Sequence, residues 1–134
     1  MESIQSSGMR QLDQGEITAA RYAAGQHIGV SRQGTHTGPV DDALQALGLT
    51  RHIATSVESF SSALALAQAC DLVATVPERH TGNLRTGMLS FALPLALPDF
   101  TVSLLWHPRQ HADPAHRWLR GCVREVCGGQ AESL

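Results

Sequence analysis

Polar side chains follow two predicted strands at the points where those strands end. Ser31, Arg32 and Thr35 come after the apolar run His27–Val30, and Val57–Phe60 closes a second extended run. The carboxyl ends of parallel strands meet at one edge of a sheet, where helix N-termini present free N–H groups and a positive dipole. The sequence therefore predicts a binding edge that would suit a small carboxylate-bearing metabolite.

Each of these residues also has a purely structural interpretation. Ser59 suits a helix N-cap, Thr35 suits a turn, and Arg32 suits a solvated surface charge. Glu58 at a helix N-terminus is stabilised by the dipole but would repel an anion, so we expect it to point outward or to pair with an arginine. A Glu58 side chain that pointed inward would favour a cationic or amphipathic ligand instead.

Motifs for catalysis or metal binding are absent from the sequence. His107, His111 and His116 fall within ten positions, but their spacing matches no zinc pattern, and Pro108 and Pro114 prevent a shared helical face. We expect a solvated loop with a capping role there. The sequence also lacks a GxSxG elbow and the GxGxxG and Walker spacings. We therefore predict no enzyme activity, no metal and no cofactor.

Composition narrows the class of protein further. The 134 residues carry 10 basic and 12 acidic side chains, a formal net charge of -2, and no lysine, so this stretch is poorly suited to neutralise a nucleic-acid backbone. No apolar run approaches the roughly 20 residues that cross a bilayer, and the polar start MESIQSSGMR lacks the apolar segment of a secretory signal. We expect no membrane contact and a cytoplasmic location.

Apolar patterning predicts the elements that would position the candidate site. Short strand-like runs at residues 27–31, 53–57 and 72–76 alternate with predicted helices at residues 39–47 and 60–69. Connections of this length between two strands allow the strands to lie parallel in one sheet. We predict an α/β fold of three layers, with a mostly parallel sheet and helices on both faces.

The two ends of the chain have a different pattern. Residues 1–11 show no apolar period and predict a disordered end or linker remnant. In the last third, residues 91–97 and 100–106 predict two strands, Pro114–Val126 predicts a helix, and residues 128–134 predict a tail.

Several strings, in this order, resemble the effector-binding region of LysR-type transcriptional regulators. They are DDALQALGL, SVESFSSALALAQACDLVATVPERH and FTVSLLWHPRQHADPAHRWLR. The resemblance implies that residues 12–127 form a periplasmic-binding-protein type II-like lobe. This would be mainly the second lobe of that region, with a returning strand and a C-terminal helix. Most of the first lobe and the winged helix-turn-helix of the family have no counterpart here, so we expect a piece of a longer protein or a truncated gene product.

The resemblance also implies a function. A LysR-type domain binds a small-molecule effector between two lobes and thereby controls DNA binding and transcription by the full-length protein. Its contacts would come from the strand end at Ser31, the helix start at Val57, Glu58, Ser59 and Phe60, and the strand end at Thr75 and Val76. DNA would be bound only through a helix-turn-helix outside this chain. The alternative is one lobe of a solute-binding protein for small-molecule uptake.

An apolar stripe near the C-terminus predicts self-association. Without a first lobe, residues 100–106 and the helix positions Trp118 and Cys122 would expose apolar surface in a monomer. We therefore expect a homo-oligomer, and in particular a dimer in which a second copy covers this surface.

Overall fold

The arrangement of strands and helices follows the alternating pattern of the sequence. The computed structural model describes residues 4–7, 15–34, 37–99 and 102–128. In chain order the helices and strands are β1 (Ile4–Ser7), α1 (Ala19–Ala23), β2 (Gln26–Val30), α2 (Pro39–Ala46), β3 (His52–Val57), α3 (Phe60–Ala69), β4 (Val73–Pro77), β5 (Ser90–Ala92) and α4 (Pro114–Cys127). The chain forms two compact units, Met1–Phe100 and Thr101–Leu134.

The first unit contains a five-stranded sheet in the order β3-β2-β4-β1-β5. β2 pairs in parallel with both β3 and β4, which confirms the predicted crossovers. β1 pairs antiparallel with β4 and with β5. Among the described strands, β1 therefore runs against all the others, and the prediction of a mostly parallel sheet is confirmed.

Two apolar clusters cover opposite faces of this sheet. Val73 packs with Tyr22 and Leu44, from the side of α1 and α2. The next residue of the strand, Ala74, packs with Leu64 of α3 on the other face. Successive side chains of a strand point to opposite faces, so β4 is covered on both. The predicted three layers are confirmed.

Local sequence explains how α2 begins and ends. Pro39 occupies the first helical position, where a missing N–H has no partner to lose. The carboxylate of Asp41 accepts the N–H of Gly38 at 2.9 Å. Gly48, just past the helix, has a φ of 70°, a conformation that costs glycine little. The predicted helix over residues 39–47 agrees with the structure to within one residue.

Three predicted segments differ from the structure. Ile4–Ser7 is a strand between β4 and β5, although residues 1–11 were predicted to be a loose end. The strand predicted over residues 91–97 is limited to Ser90–Ala92, because Pro94 has no N–H to donate to a ladder. Residues 102–107 form no strand, since no described strand pairs with them; Phe100 and Thr101 lie outside the described residues.

The second unit is organised around a buried arginine of α4. The Arg120 guanidinium donates to the carbonyl oxygens of Gln110 and His111 at 3.0 and 2.8 Å, and it lies 4.5 Å from the Trp106 ring centroid. Arg120 is 6% exposed, whereas Trp118 on the same helix is 71% exposed. Trp118 and Val126 of the apolar stripe of α4 are therefore exposed, whereas Cys122 is half-buried.

Removing core volume beneath α2 is expected to destabilise the first unit. Leu44 is fully buried between the helix and the sheet, so Leu44→Ala should lower the free energy of unfolding by about 2–5 kcal/mol. Leu47→Ala removes the same atoms from a residue that is 59% exposed and should cost under about 0.5 kcal/mol. Urea unfolding of both variants measures the difference, and equal costs would contradict this packing.

Candidate functional site

Two cavities lie at the edge of the sheet where β2 and β4 end. The first, which we call the apolar cavity, has a volume of about 390 Å³. Its wall consists of Ile28, Val30, Thr37, Gly38, Pro39, Val40, Asp41, Arg51, Phe60, Thr75, Val76, Pro77, Leu97, Pro98 and Asp99. Most of these side chains are hydrocarbon, and the charged groups are few.

The second cavity, which we call the polar cavity, has a volume of about 480 Å³. Its wall consists of Val30, Ser31, Arg32, Glu58, Ser59, Phe60, Ser61, His80, Thr81 and Leu84. Val30 and Phe60 belong to both walls, so they separate the two cavities. Hydroxyl groups and opposite charges dominate this second wall.

The residues predicted from sequence divide between these cavities. Thr75 and Val76 lie in the wall of the apolar cavity, and Phe60 lies in both walls. In the polar cavity the structure places four others, Ser31, Arg32, Glu58 and Ser59.

The remaining two predicted residues are not in either wall. Val57 is half-buried and packs against the apolar cluster of α3, outside both walls. Thr35 lies outside the described residues. The predicted set therefore does not converge on one cavity.

The helix start at Ser59 shows the structural role that sequence also indicated. The Ser59 hydroxyl accepts the N–H of Ser62 at 3.1 Å, so it caps α3. Glu58 is exposed and contributes to the wall of the polar cavity, which Arg32 also lines. We expected Glu58 to point away from the binding edge or to pair with an arginine, whereas the structure places it in the wall of this cavity.

A charged pair in the wall of the apolar cavity was missed by sequence analysis. The Arg51 guanidinium binds the Asp41 carboxylate through two hydrogen bonds, Nε to Oδ1 at 2.8 Å and Nη2 to Oδ2 at 3.0 Å. The side chains of Arg51 and Asp41 are 9% and 19% exposed. Arg51 follows Asp41 by ten positions, with the rest of α2 and a turn between them, so no local spacing rule identifies the two as partners.

Both partners have shifted pKa values for the same reason. Burial alone would raise the pKa of Asp41, but the hydrogen bonds and charge of Arg51 outweigh it and hold that pKa below its ordinary value. Burial alone would lower the pKa of Arg51, but the hydrogen bond and charge of Asp41, together with Tyr22, outweigh it, so this pKa is raised. The pair is therefore ionised at neutral pH.

Tyr22 connects this pair to Thr75 of β4. The Tyr22 hydroxyl lies 2.7 Å from the hydroxyl of Thr75, and it accepts a hydrogen bond from Arg51 Nη1 at 3.4 Å. Tyr22 is fully buried in the cluster beneath α2. A hydrogen-bonded chain thus runs from Gly38 through Asp41, Arg51 and Tyr22 to Thr75.

His27 is the fully buried titratable group next to this chain. Its Nε2 lies 2.7 Å from the carbonyl oxygen of Tyr22, so Nε2 carries the proton of the neutral ring. Nδ1 has no hydrogen-bond partner among the described residues. Burial lowers the pKa of His27 to about 4, although the bond to the Tyr22 carbonyl acts in the opposite direction.

The histidines of the second unit have structural partners. His107 Nδ1 accepts the N–H of Arg109 at 3.1 Å and caps a short 3-10 turn, which confirms the predicted capping role. His116 Nδ1 accepts from Arg120 Nη1 at 2.6 Å. Within residues 15–34, 37–99 and 102–128, no three His, Cys, Asp or Glu side chains are grouped as metal ligands would be. None of the helices described there is both long and apolar enough to span a bilayer.

Comparison with known proteins identifies the family. The model of the LysR substrate binding domain matches residues 5–128. The chain is 33% identical over 112 residues to the HTH-type transcriptional activator NagR of Ralstonia sp, covering 82% of this chain and 37% of that protein. It is 37% identical over 110 residues to the HTH-type transcriptional regulator SyrM of Rhizobium meliloti (strain 1021), covering 79% and 33%.

A solved structure agrees with this assignment. The regulatory domain of MexT, a transcriptional activator in Pseudomonas aeruginosa, superposes with a TM-score of 0.74 at 28% identity, covering 93% of this chain and 62% of that one. The chain belongs to the LysR substrate-binding domain family. These relatives are transcriptional regulators, not enzymes, and the chain matches the regulatory domain of one such activator. It spans about a third of the length of the curated relatives it matches.

Acidification is expected to destabilise the first unit through His27. The folded-state pKa of about 4 lies below the ordinary value of 6.5, so the unfolded chain binds more protons between these pH values. Stability is therefore complete above pH 6.5 and declines as pH falls towards 4, by about 3 kcal/mol in total for this group. Urea unfolding from pH 7 to pH 4.5 measures the decline.

Two variants isolate the contribution of His27. His27→Gln keeps a side-chain N–H for the Tyr22 carbonyl but cannot titrate, so its stability should fall less steeply between pH 6.5 and 4.5. Leu44→Ala lowers stability without removing a titratable group and should keep the wild-type slope. A His27→Gln protein that loses as much stability as wild type would refute the assignment.

Proposed function

We propose that this chain is the effector-sensing part of a LysR-type transcriptional regulator and that it binds a small metabolite in the apolar cavity. The observation that carries the proposal is the position of that cavity, at the carboxyl ends of parallel strands and beside the N-termini of α2 and α3. Ligands of open α/β sheets bind at this edge. A volume of about 390 Å³ also falls within the range of small-molecule sites.

The proposal assigns different parts of the effector to the two cavities. Phe60, Thr75 and Val76 would contact its apolar body. The polar cavity begins on the other side of Val30 and Phe60. Polar substituents of the effector that extend past these two side chains would contact the four predicted residues of that wall, Ser31, Arg32, Glu58 and Ser59.

Binding would act on transcription by shifting the regulator between two arrangements. An effector that binds one arrangement more tightly shifts the population by its difference in affinity. DNA contact would be made by a helix-turn-helix elsewhere in the full-length protein, because this chain carries a net charge of -2 and no lysine. We propose that the regulator is cytoplasmic. Within this chain, we assign residues 12–127 to the second lobe with its returning segment and C-terminal helix, and residues 128–134 to a tail.

The apolar cavity should accept a neutral aromatic probe. We expect 2-phenylethanol to shift the amide NMR signals of Ile28, Thr75 and Val76 in a saturable titration, because their side chains lie in the wall. Leu97→Trp places a large ring in the same wall and should abolish these shifts. Leu89→Trp makes the same change at an exposed residue outside the wall and should not. Shifts that are unaffected by Leu97→Trp would argue against this cavity.

We further propose that the chain forms a homodimer through the second unit. Val102, Leu105, Trp118 and Val126 are 60%, 87%, 71% and 84% exposed, a large apolar fraction for a unit of this size. Light scattering after size exclusion should give the mass of a dimer at micromolar concentration. Trp118→Arg should shift that mass to a monomer, while Arg117→Ala should not. A well-behaved wild-type monomer would overturn the proposal.

A further inference from the structure

We propose that the apolar cavity selects ligands whose polar group is neutral or cationic and rejects carboxylates, and that the Arg51–Asp41 ion pair sets this selectivity. The inference rests on the proposed function of the cavity. It reverses the expectation from sequence, in which the strand ends and helix N-termini suit an anionic metabolite.

Arg51 is the cation in the wall of this cavity, and three of its five N–H groups are bound to oxygen atoms of the protein. Nε and Nη2 are bound to the two Asp41 oxygens, and Nη1 donates to the Tyr22 hydroxyl. A two-point contact of this kind is the geometry that a guanidinium uses to bind a carboxylate ligand. A carboxylate ligand that bound Arg51 by this same two-point contact would have to displace Asp41, whose side chain is 19% exposed.

The N-terminus of α2 does not attract anions either. Its first residue, Pro39, has no N–H, and the carboxylate of Asp41 lies both in its first turn and in the wall of the cavity. Asp41 also accepts the N–H of Gly38, the residue that precedes the helix. The Asp41 charge therefore offsets the helix dipole at this end, and the Gly38 N–H is already bound to the protein.

The net charge of the described wall is negative. Asp41 and Asp99 contribute two carboxylates, and Arg51 contributes one guanidinium, which leaves one negative charge. Asp99 is exposed at the end of the wall, so its carboxylate is available to a cationic group. On the adjoining polar cavity, Arg32 and Glu58 are of opposite charge and add no net attraction for an anion.

Three probes of one shape test the selectivity. 2-Phenylethylamine, 2-phenylethanol and phenylacetate share a benzene ring on a short chain and carry a cationic, a neutral and an anionic group at neutral pH. NMR titration of the wild-type chain at low salt should give dissociation constants for the amine and the alcohol at least about tenfold below that of phenylacetate. Phenylacetate as the tightest ligand would overturn the inference.

Releasing Arg51 should invert the order. Asp41→Asn leaves the guanidinium without its carboxylate, so phenylacetate should gain about tenfold in affinity and the amine should weaken. Asp42→Asn removes the same charge from the next residue, which lies outside the wall of the apolar cavity, and should leave the order unchanged. An Asp41→Asn protein that folds but gains no affinity for phenylacetate would refute the role of the ion pair.

A third variant decides the matter if Asp41→Asn fails to fold. Asp99→Asn alters an exposed residue and should weaken the amine several-fold while leaving 2-phenylethanol unchanged, since only the cation interacts with the carboxylate. Equal affinities of the amine in wild type and Asp99→Asn would count against the inference. If none of the three probes bound to the wild-type cavity, the proposed function of the cavity itself would fail, which is a separate outcome from a reversed preference.

Discussion

The pairing of Arg51 with Asp41 is the interaction on which the candidate site depends. It joins the residue before β3 to the first turn of α2, and through Tyr22 it reaches Thr75 in the middle of β4. Removing one partner of a shielded pair leaves the other as an uncompensated charge, which costs far more than an exposed pair is worth. The wall of the apolar cavity is therefore held at Arg51 and Asp41 by a hydrogen-bonded ion pair.

The sheet explains why two cavities of different character lie side by side. Helices α2 and α3 cover opposite faces, yet both begin at the edge where the parallel strands end. On the side of α2, the apolar cavity is bordered by Pro39 and Val40 and by the chain at Leu97–Asp99. The polar cavity lies beside the serine-rich start of α3. The same edge of the sheet can therefore contact both the apolar body and the polar substituents of one ligand.

The second unit uses a polar anchor in place of an apolar core. Arg120 is buried because carbonyl oxygens, His116 and the Trp106 face satisfy its guanidinium. This arrangement frees the apolar stripe of α4 from internal packing and leaves it at the surface. The aliphatic part of an arginine side chain can pack against apolar atoms while the guanidinium is hydrogen-bonded. A charged residue can therefore be buried in so small a unit.

The sequence by itself determined the α/β layering, the parallel crossovers, the start of α2 at Pro39 and the cap at Ser59, because these follow from periodicity and from contacts within a few residues. It also indicated the sheet edge as the place to look for a ligand. Only the tertiary structure decided that β1 inserts between β4 and β5, that the predicted site residues divide between two cavities, and that Asp41 engages Arg51. These features depend on contacts between segments that are far apart in the sequence. The free energies of strand pairing and burial that favour such contacts leave no local sequence pattern from which the contacts can be predicted.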